Sequence, residues 1–461
     1  MSVHALLHPR NVAIVGASNR EESMGHGVLE CLRAGGFSGP IYPVNSRYDE
    51  VAGLRCYPSL VALPEAPDHV VVAVPAASVL DVMRDAVASG ARTATIMASG
   101  FEREGDVGRA ALKALLDEST IAVSGPNCMG NFCADAHLMT LEERRVPPAE
   151  HGSVAIAGQS GGVIMALYRA LWDRGITSSY VVTSGDELGL CAADYIEYFA
   201  TRDDVRVILY YLEGLPEAGR FAAAVRAATR AGKRVILFKI GGSERGRAAA
   251  ELHTGSRAGS LDAFDAALAT TGAIRADTLD EAIEGVEFLT HAAAPAGPRL
   301  AAIMFSGGLK AIVCDHVERA GAELAELNAE TLARLNAIVS TGGSVGNPLD
   351  FGPPWNFEAY LDCIRALRTD PNVDLVLAQD ELLRSAGPFK EANFRRLDEF
   401  VVAESGAPLA IFSMISHSVT DHGRALRGTL PHLPFLQEPA KAIRILTKIG
   451  LASRAFRDIE F

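Results

Sequence analysis

Short apolar runs recur along the chain, each closed by small or polar residues and followed by a longer stretch of helical periodicity. In the first third these runs are 11–16, 41–45, 69–75, 93–99 and 121–124. Alternation of this kind predicts a parallel sheet with helices on both faces. Residues 147–152, with Pro147 and Pro148, read as a linker, after which the pattern resumes at 152–157, 179–183, 205–212 and 234–238. A second joint at 292–298, rich in Ala and Pro, precedes strand-like runs at 300–306, 373–378 and 408–412. Three α/β segments are therefore expected, 1–147, 150–292 and 298–461, which suits a chain of 461 residues at roughly 150 residues per domain. Their openings, A-I-V-G-A-S, A-I-A-G-Q-S-G-G and A-I-M-F-S-G-G, repeat one fold logic per segment and not a short-period solenoid.

Composition narrows the class. An apolar content of 49% and a charged content of 21% are those of a soluble globular protein. A net charge of −13 argues against nucleic acid or a membrane surface as partner. The start of the chain has no signal-peptide pattern and no 18-residue apolar span occurs, so a cytoplasmic protein is expected. Seven cysteines show neither a C-x-x-C pair nor zinc spacing; free thiols in a reducing compartment, and no metal, are the expectation.

In open parallel sheets, ligands bind beyond the carboxyl ends of the strands. In the first segment those ends carry Gly16, Ser18 and Asn19; Val44, Asn45 and Arg47; Val74 and Pro75; Ser99 and Gly100; and Asn127. They suit a nucleotide cleft. The first turn is not G-x-G-x-x-G, and the second strand ends in Asn45 in place of the acid that would bond an NAD ribose. Arg47 fits a ribose-linked phosphate, which points to coenzyme A or NADP over NAD; structural glycines account for the turn equally well. In the second segment, Ser160, Gly161 and Gly162 come after a strand and open a helix. Such a start offers free backbone N–H groups and a positive dipole end to an anion, although tight strand–helix packing calls for glycine too. Glu213 at the end of the 205–212 run could hold a histidine ring or be a loop acid. His253 lies where a short Ala-rich helix ends before Gly255, with Ser260 placed to cap the next helix from Leu261. A neutral imidazole there can accept a phosphoryl group; a histidine in a last helical turn also suits the dipole with no further role.

Longer stretches carry a resemblance. V-A-I-V-G-A-S, I-Y-P-V-N-S-R-Y-D-E-V-A-G-L-R-C-Y-P-S-L, V-A-V-P, S-G-F and G-P-N-C-M-G together resemble the CoA-binding domain of the NDP-forming acyl-CoA synthetases, the superfamily of ADP-forming acetyl-CoA synthetase and succinyl-CoA synthetase. The resemblance spans nearly the whole chain in the family's order. It implies a Rossmann-like CoA-binding domain followed by two flavodoxin-like ligase domains, with Asn347, Pro348 and Asp350 in the third module. It implies Ser160, Gly161 and Gly162 as phosphate donors, Glu213 as orienter of the histidine, and His253, in L-H-T-G-S-R-A-G, as phosphoryl carrier. Three departures bear on activity: Leu252, Arg257, and Asp186 where the family has Asn. The chain closes at Phe461 without a P-loop or room for an ATP-grasp module, so the Mg-nucleotide is expected on an ATP-grasp β-type partner, in a homodimeric or α2β2 assembly acting on a small carboxylic acid or its acyl-CoA. A CoA-binding regulatory protein and an NADP-dependent oxidoreductase are the alternatives.

Overall fold

The structure, a computed structural model, describes residues 2–101, 107–143, 146–147, 151–215, 217–254, 260–340 and 342–460, without the side chains of 2, 107, 250–254 and 460. By its contacts the chain divides into two units, Met1–Arg169 with Thr177–Leu268, and Ala170–Ile176 with Ala269–Phe461.

The first unit opens with α1 (Ser2–Leu7), β1 (Val12–Val15), α2 (Met24–Ala34) and β2 (Ile41–Val44), then a small hairpin of β3 (Glu50–Val51) and β4 (Leu54–Arg55). Next come β5 (His69–Val72), α3 (Ala76–Ala88), β6 (Thr93–Ile96), α4 (Val107–Asp117) and β7 (Ala122–Ser124). The five main strands are parallel in the order β2-β1-β5-β6-β7. Every residue of β1, β5 and β6 is buried; helices cover both faces, which is why these strands read as unbroken apolar runs. Helix α2 starts at Ser23, whose hydroxyl accepts the His26 N–H at 3.3 Å and satisfies one of the free donors of its first turn.

Beyond β7 the chain adds two short strands that periodicity does not announce. β8 (Asn131–Cys133) and β9 (Leu138–Met139) form an antiparallel hairpin, and β8 pairs antiparallel with β11 (Ser178–Thr183) of the second sheet. Residues 131–139 thus pair with that sheet and not with the parallel sheet before them; strands this short are below the length at which alternation shows. The second sheet is otherwise built from β10 (Val154–Gly158), α5 (Gly161–Asp173), β11, α6 (Ala192–Ala200), β12 (Val207–Leu212), α7 (Ala218–Arg230), β13 (Arg234–Lys239), α8 (Glu244–Thr254) and α9 (Leu261–Leu268). Its order within this unit is β13-β12-β10-β11-β8-β9. Ser260 caps α9 as expected, accepting the Ala263 N–H at 3.0 Å.

The second unit holds β14 (Ile274–Ala276), α10 (Leu279–His291), β15 (Arg299–Met304), α11 (Gly307–Ala320), β16 (Glu323–Leu324), α12 (Ala329–Ile338), β17 (Leu349–Asp350) and α13 (Phe357–Arg368). β18 (Leu375–Gln379), α14 (Pro388–Ala403), β19 (Leu409–Ser413), α15 (Asp421–Gly428), β20 (Phe435–Gln437) and α16 (Pro439–Glu460) complete it. The parallel order is β16-β15-β18-β19-β20, with β17 beside β15. Asn347 is a structural pin here: its carbonyl accepts the Ala302 N–H at 3.0 Å, and its amide donates to Leu300 O and Ala325 O, both at 2.9 Å. Helix α10 packs on α16 and β20 of this unit.

The expected α/β class is what forms, and one topology is used three times. In each sheet the first long strand sits inside, its successor on one side and the next main strand on the other: β2-β1-β5, β11-β10-β12 and β16-β15-β18. Loops that leave such a strand and its later neighbour part in opposite directions, opening a crevice at their carboxyl ends.

Candidate functional site

The first crevice lies between the ends of β1 and β5. Gly16 leaves β1 with φ +94°, and a Cβ there would come 2.2 Å from the Ala73 carbonyl oxygen. Only glycine suits that turn. Behind it, a Cβ on Gly25 would come 2.3 Å from the Gly16 oxygen, so α2 starts in direct contact with the turn. Ser18 is buried, accepts the Arg20 N–H at 3.1 Å and lies 3.4 Å from the Tyr48 hydroxyl. Asn19 donates to Glu50 O and accepts from Ala52 N–H, both at 3.0 Å. Asn45, past Val44, donates to Ala17 O at 2.8 Å and accepts the Arg47 N–H at 3.0 Å. The β1 and β2 turns are thereby locked together, with Arg47 exposed at the rim. Val74 and Pro75 continue from β5; Ser99 and Gly100 are exposed after β6.

Asn127 behaves differently from the rest of that set. Its N–H donates to Ala98 O at 2.9 Å, beside the β6 end, while its side-chain amide donates to Asp186 Oδ1 at 3.2 Å. It therefore joins the first crevice to the second sheet. Neighbouring residues do the same: Met129 N–H donates to Thr183 Oγ1 at 2.8 Å, and Asp186 N–H to Pro126 O at 2.9 Å.

The second crevice lies between the ends of β10 and β12. β10 ends at Gly158, where a Cβ would come 2.6 Å from Tyr211 O. Gln159 then bridges the crevice: its carbonyl accepts Glu213 N–H at 2.6 Å and Gly214 N–H at 2.9 Å, and its amide donates to Gly214 O at 3.0 Å. Ser160 precedes α5, and Gly161 and Gly162 form its first turn. A Cβ on Gly161 would meet only the Met129 side chain, whereas at Gly162 nothing lies within 4 Å. Packing does not require glycine at Gly162, and the first N–H groups of a helix have no partner within it, as an anion site needs.

Glu213 is buried and accepts the Tyr211 hydroxyl at 3.1 Å. Burial, and secondarily Glu213, push the Tyr211 phenol well above its ordinary pKa. Lys239, also buried, donates to the carbonyls of Glu213 at 2.7 Å and Ile240 at 2.9 Å; burial pulls its ammonium down, against the pull of Glu213 upward. Gln159, next to Ser160 and the start of α5, is hydrogen-bonded to Glu213 at the end of β12. His253 falls within the backbone bounds of α8, but its side chain, Leu252 and Arg257 lie outside the described residues.

Several polar residues of this region carry no signal in the pattern. Glu187 turns its carboxylate inward, accepting from Ser184 Oγ at 2.7 Å, Tyr210 OH at 2.8 Å and Ala192 N–H at 3.1 Å. Burial raises its pKa despite those donors. Ser184 N–H donates to Gly158 O at 2.8 Å, so this loop abuts the strand that leads into Ser160. A half-buried acid in a short D-E-L loop has no periodicity to betray it; Gln159 alone is in view, as the first letter of Q-S-G-G.

Residues 151–289 match the family described as the succinyl-CoA ligase like flavodoxin domain, and residues 10–133 match a CoA binding domain. The α subunit of acetate–CoA ligase [ADP-forming] II from Pyrococcus furiosus is 31% identical over 374 residues, which cover 80% of each chain. The chain belongs to the NDP-forming acyl-CoA synthetase superfamily. Another member, acetate–CoA ligase [ADP-forming] I of Archaeoglobus fulgidus, is 30% identical over 452 residues, 97% of this chain and 63% of that protein. A trans-feruloyl-CoA synthase is 34% identical over 387 residues, 82% of this chain and 54% of that one. The chain thus spans between half and two thirds of the length of these last two relatives. Among solved structures, the dinucleotide forming acetyl-coenzyme A synthetase 1 of Ca. Korarchaeum cryptofilum, in complex with phosphate and ADP, superposes with a TM-score of 0.86 at 25% identity, over 99% of this chain and 98% of that one. Among the described residues, no helix is long and apolar enough to cross a membrane.

Proposed function

We propose that this chain is the α-type subunit of an NDP-forming acyl-CoA synthetase, reversibly converting acyl-CoA, phosphate and ADP to acid, CoA and ATP. In this reading domains 1–147, 150–292 and 298–461 divide the work. Coenzyme A lies on the first, held by Gly16, Ser18, Asn19, Val44, Asn45, Arg47, Val74, Pro75, Ser99, Gly100 and Asn127. The Gly16 turn, with φ +94° and packed on the Ala73 carbonyl, sets the opening of this crevice at the end of β1. Arg47, exposed at the rim, supplies a charge-assisted contact to phosphate.

Phosphate attacks the thioester carbonyl, the CoA thiolate leaves and takes a proton, and an acyl phosphate results. The His253 imidazole then attacks phosphorus and the carboxylate departs. ADP bound to an ATP-grasp partner, with Mg²⁺, receives the phosphoryl group and His253 is regenerated. Ser160, Gly161 and Gly162 stabilise the charge on the moving group with preorganised N–H donors, and Glu213 orients the ring. The partner is supported by relatives named as α subunits. A homodimeric or α2β2 assembly in the cytoplasm completes the proposal. The observation that carries it is the crevice itself: a helix start left open at Gly162 beside a buried glutamate, hydrogen-bonded through 126–129 to the CoA-type crevice.

The test is phosphorylation by product. Incubated with a panel of acyl-CoA thioesters, Mg²⁺ and labelled phosphate, the chain gains an acid-labile, base-stable label on His253. His253→Ala abolishes it and leaves CoA affinity unchanged, and Glu213→Gln slows it by roughly 10–100-fold, as losses at orienting groups do. A label on another histidine, or one that survives His253→Ala, overturns the assignment. CoA binding with no label from any thioester favours the regulatory reading, to which the Asp186 carboxylate beside this crevice lends weight.

A further inference from the structure

On the face of the first unit where α1 ends, three side chains of different chemistry converge. His8 Nε2 lies 3.1 Å from Asp135 Oδ1, Cys133 Sγ lies 3.0 Å from the same oxygen, and Sγ and Nε2 are 3.7 Å apart. Among the described residues, this is the one group of three or more His, Cys, Asp or Glu side chains whose ligand atoms all lie within 4.8 Å of one another. Its members come from the end of α1, from β8 and from the turn after β8, so no spacing rule could have found it. The unexpected β8–β9 hairpin brings it together.

The three edges, 3.0, 3.1 and 3.7 Å, lie close to those between the ligands of a single metal ion. With bonds of about 2.0–2.1 Å to nitrogen, 2.0–2.2 Å to oxygen and 2.3 Å to sulfur, a tetrahedral zinc ion sets its ligands about 3.3–3.6 Å apart. Shifts of about half an ångström in the side chains meet that requirement. The outer contacts are those that ligands need. His8 Nδ1 lies 3.3 Å from His4 O and 3.4 Å from the Tyr198 hydroxyl; an Nδ1–H donated to that carbonyl leaves the Nε2 lone pair facing the thiol and carboxylate. Asp135 Oδ2 accepts from Arg202 at 3.3 Å and lies 3.2 Å from His8 Nε2, so both carboxylate oxygens are held at the cluster. Arg202 in turn is held by the Tyr180 hydroxyl at 2.9 Å. Entry is open from one side: Asp135 is 41% exposed and His8 18%, while Cys133 is fully buried.

We propose that His8, Cys133 and Asp135 form a site for a divalent ion of the zinc class, with three protein ligands and a fourth position facing solvent. Binding exchanges protons for metal. The Cys133 thiol releases its proton to solvent as it bonds the ion as thiolate, and His8 bonds through Nε2. The ion thereby clamps the N-terminal helix to the hairpin that connects the two sheets. The alternative is a hydrogen-bonded triad that holds no ion, with the thiol and the ring both donating to Asp135.

Cobalt separates the two, because thiolate–Co²⁺ coordination gives a near-ultraviolet charge-transfer band that a hydrogen-bonded triad cannot. The full chain, reduced, stripped with chelator and titrated with Co²⁺, develops this band with one equivalent bound, and Zn²⁺ bleaches it. Cys133→Ser removes the band, Cys191→Ser keeps it, and His8→Gln lowers cobalt affinity at least about tenfold. Asp135→Asn, which retains an acceptor for Arg202, serves if circular dichroism shows Cys133→Ser to be misfolded, and it too loses at least about tenfold in affinity. No band in excess cobalt, or a band that survives in Cys133→Ser, overturns the proposal.

Discussion

At Gly16 an added methyl would overlap the Ala73 carbonyl at φ +94°, whereas at Gly162 it would stand in open space. The two glycines sit at the openings of two crevices, yet they make opposite predictions. Gly16→Ala is expected to lose about 1–3 kcal/mol from backbone strain, with CoA affinity falling alongside. Gly162→Ala removes a poor helix former and is expected to leave thermal stability unchanged or up to about 1 kcal/mol higher, while slowing the labelling of His253 because a methyl intrudes where phosphate docks. Equal labelling rates in wild type and Gly162→Ala would remove α5 from the chemistry. A second residue-level prediction concerns His69, fully buried in β5 with Nδ1 donating to Thr93 Oγ1 at 2.9 Å. Burial lowers its pKa from 6.5 to about 3. Between these values the unfolded chain binds a proton that the folded chain refuses. Stability therefore falls as pH drops below 6.5, by up to about 1.4 kcal/mol per pH unit from this group. His69→Asn is expected to flatten that slope in denaturant titrations from pH 7 to 4; parallel slopes would assign the acid sensitivity elsewhere.

Among the elements, the buried strands were legible because both of their faces are covered, and the helix from Leu261 because its cap is written out at Ser260. The hairpin 131–139 was not, since two or three residues make no pattern. Nor was the character of α10. Its Glu281, Glu284 and Glu287 are all buried, at spacings that put them on one face. Glu284 pairs with Arg174 at 2.6 Å, Glu281 with Arg444 and Lys448 at 2.9 Å, and Glu287 with Arg427 at 2.9 Å. Charges at i, i+3 and i+6 read in sequence as a solvated face, and only the fold reveals arginines enclosed against them. Arg427 is 2% exposed, and burial pulls its pKa down while Glu287 holds it up. Glu287→Ala is expected to cost about 3–5 kcal/mol by leaving that guanidinium uncompensated. Glu287→Leu combined with Arg427→Met should recover most of the loss, as read from chemical denaturation of all four corners of the cycle. Additive losses in the double variant would show that the pair does not act as a unit.

For the molecule as a whole, the candidate site was legible where topology and motif coincide. Q-S-G-G and the Glu213 strand end lie 54 residues apart in sequence (213 − 159), and the β10–β12 crevice brings them into direct hydrogen bonding. What stayed hidden was the junction of the two sheets, because it is made by polar groups across loops: Asn127 on Asp186, Met129 N–H on Thr183, Asp186 N–H on Pro126. That junction gives Asp186 a meaning that the departure from the family's Asn lacked. Its carboxylate accepts a hydrogen bond from Asn127, and it stands two residues beyond Ser184, whose N–H donates to the carbonyl of Gly158 at the end of the strand that leads to Ser160; the proposed substrates there are anions. Asp186→Asn preserves the acceptor for Asn127 and removes the charge, so the fold should be kept. One like charge removed near a partly solvated anion is worth about 1 kcal/mol, and the KM for phosphate should accordingly fall roughly fivefold while kcat changes little. The difference should shrink as ionic strength rises, since salt screens a charge at an open crevice. A KM that is unchanged at low salt would mean that Asp186 faces away from the anion path, and its place in the loop would then be explained by the Asn127 contact alone.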